Sequence, residues 1–249
     1  IIKKNEINVI FHLGAITQVL ESLKNPYETH LTNVMGTINF LENIRSINKK
    51  IIFIYSSSDK AYGELKNSNQ YKETDALDST YPYDVSKSAS DLICQSYSKT
   101  YSMKVGIIRC GNIYGPGDFN LKRLIPEVIL STIAKKNFVI RSNGKSIRDY
   151  VYVEDVVDAY LKLFKKLKNS KNKLKIYNVS SKFNYSVLEI VNMILKKMNK
   201  SYMKPIILNN SKQELNFQRL NFSKITRELK WQPKTDIKIG LKKTIDWYI

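Results

Sequence analysis

Three short apolar runs constrain this chain more than anything else in it. Residues 7–13 (Ile-Asn-Val-Ile-Phe-His-Leu), 51–55 (Ile-Ile-Phe-Ile-Tyr) and 105–108 (Val-Gly-Ile-Ile) are almost uninterrupted by polar side chains. A strand with one wet face alternates apolar and polar residues, whereas a strand covered on both faces does not. Between the runs lie longer segments with helical spacing. Pro26 suits the first turn of a helix running to about Ile47. Over Pro82–Tyr101, Val85, Ala89, Leu92, Ile93 and Tyr97 recur at helical intervals. Strands alternating with helices predict an α/β fold around a parallel sheet. Each run ends in small or polar residues: Gly14-Ala15, Ser56-Ser57-Ser58 and Arg109-Cys110-Gly111-Asn112. Open α/β sheets bind ligands outside the carboxyl ends of their strands, so a site is expected at these three places.

Residues 63–80 are polar and read as a loop. After Gly115-Pro116-Gly117 the texture changes. Helices are expected near 123–135, 154–168, 186–199, 223–230 and 236–248, with short strands near 138–141, 148–153 and 175–179. The expected division is a first domain over 1–115 and a smaller mixed α/β lobe over 116–249, with part of 148–168 rejoining the first.

Composition narrows the function classes. The chain has 249 residues, 43% hydrophobic, which is enough to bury a real core and too apolar for disorder. Its net charge of +19 raises the question of a polyanionic partner. Most of that charge is Lys spread thinly over many segments, so it reads as solvated surface, and neither nucleic acid nor membrane is expected as a partner. Two cysteines, Cys94 and Cys110, make no disulfide framework and fit a reducing, cytoplasmic setting. No apolar run reaches the ~18–20 residues that span a bilayer. With two His and no clustered carboxylates or cysteines, no metal site is expected.

The chemistry-bearing pair is Tyr83 and Lys87, four apart and therefore on one helix face. A phenol with a pKa near ~10 is a poor base at neutral pH. An ammonium about 4 Å away stabilises the phenolate by about 4 kcal/mol at an effective dielectric of ~20. In isolation such a pair also describes an ordinary helix surface. Upstream, Ser57-Ser58-Asp59-Lys60-Ala61-Tyr62-Gly63 closes the second strand with a hydroxyl, a carboxylate and an amine in succession. That is either a polar turn or a set of acid/base groups.

These residues resemble, in order and over nearly the whole chain, the extended branch of the short-chain dehydrogenase/reductase superfamily, the NAD-dependent nucleotide-sugar epimerases and dehydratases. Phe11-His12-Leu13-Gly14-Ala15 is similar to that family's segment beneath the cofactor, and Asn33-Val34-Met35-Gly36-Thr37 to the helix motif after it. Tyr81-Pro82-Tyr83-Asp84-Val85-Ser86-Lys87-Ser88 resembles its catalytic helix. Arg109-Cys110-Gly111-Asn112-Ile113-Tyr114-Gly115-Pro116-Gly117, Arg148–Asp155 and Trp231-Gln232-Pro233 complete the set. The resemblance implies a Rossmann-type doubly wound parallel sheet with a substrate lobe. It implies that Ser58, Tyr83 and Lys87 are catalytic. Leu13, Gly14, Ala15, Asn33, Ser56, Tyr83, Lys87 and Cys110 are then expected to meet NAD. Asn112, Arg123, Arg148 and Arg219 are expected to hold a nucleotide-diphosphate sugar, the forked guanidinium suiting two phosphate oxygens.

The family's Gly-x-x-Gly-x-x-Gly fingerprint is missing: the 9 glycines begin at Gly14 and none makes that spacing. The resemblance implies that the first βαβ units, which carry the pyrophosphate turn, lie before Ile1. A chain without them is expected to bind NAD poorly. A homodimer through a four-helix bundle, built from 26–47 and 82–101, is the family expectation.

Epimerases of the family resemble one another in having small or neutral residues after the Ser. Here those positions hold Asp59 and Lys60, which resembles the CDP-glucose 4,6-dehydratases and the inverting UDP-N-acetylglucosamine dehydratases. The expected activity is therefore a 4,6-dehydratase with a CDP-glucose-like substrate, Asp59 acting as acid and Lys60 as base at the elimination. The alternatives are a nucleotide-sugar 4-epimerase, in which Asp59 and Lys60 form a structural pair, and, from another class, a non-catalytic fragment or basic binding protein.

Overall fold

A computed structural model describes residues 1–64, 70–209 and 217–249. In chain order the elements are β1 (Val9–His12), α1 (Val19–Lys24), α2 (Pro26–His30), a π-helical turn (Leu31–Met35), α3 (Gly36–Ile47), β2 (Ile52–Ser56), a 3-10 turn (Asp59–Tyr62), α4 (Pro82–Tyr101) and β3 (Val105–Cys110). They continue with β4 (Asn112–Tyr114), α5 (Leu124–Ile133), β5 (Val139–Ile140), β6 (Ile147–Tyr152), α6 (Val153–Asn169) and β7 (Leu174–Val179). The last are β8 (Asn184–Ser186), α7 (Val187–Lys197), β9 (Ile206–Ile207), α8 (Ser223–Leu229) and α9 (Ile237–Tyr248). The chain forms two compact units. The first comprises Ile1–Cys110, Asp158–Val179 and Leu220–Trp231; the second comprises Gly111–Val157, Ser180–Arg219 and Gln232–Ile249.

In the first unit the sheet order is β1-β2-β3-β7, with every pair parallel. All carboxyl ends therefore lie along one edge. One face packs on α3 and α4 through Leu41, Ile44, Phe53, Tyr55, Cys94, Val105 and Ile107. Side chains alternate across a strand, so Gly106 faces the other way. A Cβ there would lie 2.8 Å from both Leu163 and Leu167, which lets α6 pack close against β3. Helices on both faces are the physical reason the strands read as unbroken apolar runs. Each fully buried Phe or Ile contributes roughly 1.5–3 kcal/mol to holding this layer together.

Local structure departs from the sequence expectation in three places. The expected helix over 26–47 runs through the π-helical turn Leu31–Met35. The segment 63–80 is more than a loop. Gly63 bridges Asp78, Tyr71 bridges Leu220, and Tyr62 stacks on Tyr71 at 4.6 Å, although 65–69 lie outside the described residues. The strands Asn112–Tyr114, Asn184–Ser186 and Ile206–Ile207 are two or three residues long, too short for any periodicity to reveal.

In the second unit β4 pairs parallel with β6, and β8 pairs antiparallel with β6. Strands β5 and β9 form a separate parallel pair. The core includes Val128 and Ile129 of α5, Ile190 and Ile194 of α7, and Leu241 and Ile245 of α9. Helix α7 begins with a capping box, the Ser186 hydroxyl accepting from the Glu189 N–H while the Glu189 carboxylate accepts from the Ser186 N–H. Among the described residues no helix is long and apolar enough to cross a membrane.

Candidate active site

The site in the first unit is built on the ends of β1, β2 and β3 and on one face of α4. Tyr81 leads into α4 in an extended conformation and Pro82 occupies the first turn, the position where its missing N–H costs nothing. This start places Tyr83 and Lys87 one turn apart, both buried. The Lys87 ammonium donates to the carbonyl of Ser56 at 2.7 Å, at the carboxyl end of β2. It also lies 5.1 Å from the centre of the Tyr55 ring. Burial pushes its pKa down to about 8, although Cys94 and Asp91 oppose the fall. Burial, with the charge of Lys87, also pushes the nearby His12 imidazole down to about 4.

Ser58, Asp59 and Lys60 follow β2 directly. Ser58 caps the 3-10 turn by accepting from the Lys60 N–H at 3.2 Å, and its hydroxyl donates to Asp59 Oδ1 at 3.0 Å. Ser58 and Asp59 are buried, Lys60 is half-buried, and the turn packs on α4. The turn ends at Gly63, whose φ of 78° and close approach to the Asp78 carbonyl leave no room for a Cβ. The structure thus brings all five expected acid/base residues to one end of the sheet, on two elements in contact.

The expected cofactor residues separate into two groups. Leu13 and Gly14 are exposed at the end of β1, and a Cβ on Gly14 would meet nothing within 4 Å. Ser56 and Cys110 end β2 and β3, with Cys110 buried. Asn33 is different. Its side chain exchanges hydrogen bonds with Ile16, N–H at 2.8 Å and C=O at 3.0 Å, and donates to Ser86 at 2.8 Å. Its backbone carbonyl, within the π-helical turn, accepts from the hydroxyls of Thr37 and Ser90. Asn33 therefore holds the segment after Gly14-Ala15 against α4.

The expected substrate residues all belong to the second unit. Asn112 lies on β4, opposite Tyr150 of β6. Arg148 is buried on β6 and donates to the Ile147 carbonyl at 2.9 Å. Arg219 donates to Asn184 of β8 at 2.7 Å, so Arg148 and Arg219 attach to one sheet. Arg123 stands apart, exposed at the start of α5 and ion-paired with Asp118 at 3.2 Å.

Two further features escaped the sequence reading. Arg109 is buried in β3 and makes a two-pronged pair with Asp91 of α4, both contacts at 2.9 Å. Burial opposes its charge, but the hydrogen bonds and charge of Asp91 outweigh it and raise the Arg109 pKa. Arg109 also donates to the Tyr62 hydroxyl at 2.8 Å, which donates in turn to Asn178 of β7 at 2.8 Å. This network anchors the far end of the acid/base turn. The signal was an arginine between Ile108 and Cys110 in an otherwise apolar strand, which demands a buried acid. The second feature is Asp84, a carboxylate directly after Tyr83 that is only 2% exposed. Among the described residues no three His, Cys, Asp or Glu side chains gather as a metal ion would require.

The family model for GDP-mannose 4,6 dehydratase matches residues 1–244. The chain belongs to that family. Members of this dehydratase family and its structural neighbours give the scale of the likeness. A dTDP-D-glucose 4,6-dehydratase of Bos taurus is 32% identical over 98% of this chain and 68% of its own length. The dTDP-glucose 4,6-dehydratase of Escherichia coli is 29% identical over 99% of this chain and 73% of its own length. A trifunctional UDP-glucose 4,6-dehydratase, 3,5-epimerase and reductase of Arabidopsis thaliana is 30% identical, and the chain spans 36% of it. Among solved structures, the dTDP-glucose 4,6-dehydratase of Bacillus anthracis in complex with NAD superposes with a TM-score of 0.87 at 26% identity, covering 99% of this chain and 74% of that one. The UDP-glucose 4-epimerase of Thermotoga maritima with UDP-glucose gives 0.90 at 25% identity, covering 99% and 79%. The parallel α/β sheet of the first unit is thus the Rossmann-type sheet of these enzymes. The expected special likeness to CDP-glucose dehydratases is corrected: these relatives are named for dTDP-glucose and UDP-glucose.

Proposed function

We propose that the protein carrying this chain is an NAD-dependent nucleotide-sugar 4,6-dehydratase. The observation that carries the reading is the Ser58–Asp59–Lys60 turn, with its hydroxyl-to-carboxylate hydrogen bond, packed on the helix of Tyr83 and Lys87. An epimerase needs one proton acceptor at carbon 4, and a dehydratase needs an additional acid and base.

The strand-end residues fit the nicotinamide end of the cofactor: open space beside Gly14, an exposed Leu13, and Lys87 anchored at Ser56. NAD, when bound, supplies the acceptor that takes the carbon-4 hydride and returns it at carbon 6. Tyr83 takes the proton of the 4-hydroxyl, its phenolate favoured by Lys87. Lys60 takes the proton at carbon 5 and gives it back there when the hydride returns at carbon 6. Asp59 delivers a proton to the 6-hydroxyl, which leaves as water. Ser58 orients Asp59 through its hydroxyl.

Arg148 and Arg219 of the second unit are the residues for the diphosphate. The names of the relatives favour dTDP-glucose or UDP-glucose over the CDP-glucose suggested by the Asp-Lys pair. The exposed Tyr27, Leu31, Met35 and Leu92 support a homodimer through α2, the π-helical turn and α4, which light scattering tests. Product mass tests the activity: dehydration removes one water. A product of unchanged mass supports the 4-epimerase, the second reading, which the likeness to the Thermotoga maritima enzyme keeps in play.

A further inference from the structure

Tyr62 ends the 3-10 turn that carries Asp59 and Lys60, and it is 2% exposed. It is held on several sides. Its ring stacks on Tyr71 at 4.6 Å, and the Arg109 guanidinium lies 4.9 Å from the ring centre. Its carbonyl accepts from the Asp78 N–H at 3.3 Å. The hydroxyl carries the argument. Asn178 donates through its side-chain nitrogen to the carbonyls of Tyr71 at 2.9 Å and Asn221 at 3.3 Å, so its Oδ1 is an acceptor. Tyr62 therefore donates to Asn178 at 2.8 Å and accepts from Arg109 at 2.8 Å. Burial raises the Tyr62 pKa, which keeps the phenol protonated and able to do both.

On the other side of Arg109 stands Asp91, bound through two contacts of 2.9 Å. Asp91 follows Lys87 by four residues, as Lys87 follows Tyr83, so the three share one buried face of α4. One guanidinium thus joins the helix of Tyr83 and Lys87 to the end of the turn of Asp59 and Lys60. Arginine suits this place because its rigid planar fork offers five donors. The turn also packs on α4, but apolar packing is non-directional and would let it slide. Hydrogen bonds of fixed direction would not.

We infer that Asp91–Arg109–Tyr62 is a strut that sets the spacing between the residues for carbon-4 oxidation and those for the elimination. Tyr62 and Arg109 are positioning residues, each 2% exposed, that act through Asp59 and Lys60. The inference rests on the dehydratase reading above. An acid and a base must meet carbons 6 and 5 while Tyr83 stays at carbon 4, and the strut holds the two sets in register.

Tyr62→Phe keeps the ring and removes only the hydroxyl. In the full chain, the Ala61 and Gly63 amides, which close the turn onto the carbonyls of Ser58 and Lys60, are expected to exchange hydrogen about fivefold faster or more. The amides of the first two turns of α4 should keep their rates. Unchanged exchange at Ala61 and Gly63 overturns the strut. With NAD and dTDP-glucose, Tyr62→Phe is expected to slow water loss by about 10–100-fold while carbon-4 oxidation in the first turnover keeps its rate. Ser98→Ala, which removes a buried hydrogen bond to the Met103 carbonyl at the far end of α4, should slow neither step in preference to the other. Equal slowing of both steps by Tyr62→Phe would be a general loosening and also overturns the inference. Turnover without water loss in the unsubstituted protein would count against the dehydratase reading alone, because hydrogen exchange still decides whether the strut holds the turn.

Discussion

Lys87 Nζ donates to the Ser56 carbonyl at 2.7 Å, tying the helix that carries Tyr83 to the end of the central strand β2. That single contact fixes where a positive charge sits at the mouth of the sheet. It also makes the charge expensive, because the side chain is buried and its pKa falls from 10.5 to about 8.

Lys87→Met should therefore stabilise the fold at neutral pH while destroying function. With the folded pKa below the unfolded one, the unfolded chain binds more protons between pH 8 and 10.5, so stability of the parent rises with pH across that window. The penalty that the substitution relieves is about 3 kcal/mol at pH 7 by linkage, less about 1 kcal/mol for the lost hydrogen bond. Urea unfolding at pH 7 and pH 10 should show the advantage of Lys87→Met shrinking as pH rises.

Tyr83→Phe and Lys60→Gln should fail at different steps. On the dehydratase reading the first removes the proposed acceptor of the 4-hydroxyl proton and should slow carbon-4 oxidation by about 10²–10⁴-fold. The second should leave that oxidation in place and slow only the loss of water. Single-turnover absorbance of reduced cofactor, followed alongside product mass, separates the two.

How much of this was legible in the sequence depends on the range of the interaction. The strands β1, β2 and β3 were visible because burial on both faces writes an unbroken apolar run. Helix α4 was visible through its periodicity and Pro82. The five acid/base candidates could be named because they lie in two short contiguous stretches. The hydrogen bonds of the Asn33 side chain to Ile16 and Ser86 were not legible, because those partners are far away in sequence. The Arg109–Asp91–Tyr62 network was missed for the same reason, its members being joined only by the fold. Asp84 lay inside a recognised motif, but its burial is a tertiary fact.

The Arg109–Asp91 pair should behave as a buried ion pair rather than a surface one. Asp91→Ala leaves an uncompensated guanidinium and should cost about 3–5 kcal/mol. The double variant Asp91→Ala/Arg109→Met should recover part of that loss, because no charge remains unpaired. Urea midpoints of the parent, both single variants and the double variant measure the coupling.

Gly63→Ala should disturb the acid/base turn from its far end. At a φ of 78° an L-side chain is strained, and the new Cβ would strike the Asp78 carbonyl. The expected loss is at least about 1 kcal/mol of stability. Faster amide hydrogen exchange confined to the stretch from Ser58 to Gly63 would locate it there.

The fate of the carbon-4 hydrogen tests the central claim most directly. The protein carrying this chain is incubated with NAD and dTDP-glucose deuterated at carbon 4, and the product is read by NMR. The account predicts a product one water lighter with the deuterium in a carbon-6 methyl group. Deuterium found at carbon 4 of an isobaric sugar of inverted configuration would contradict it.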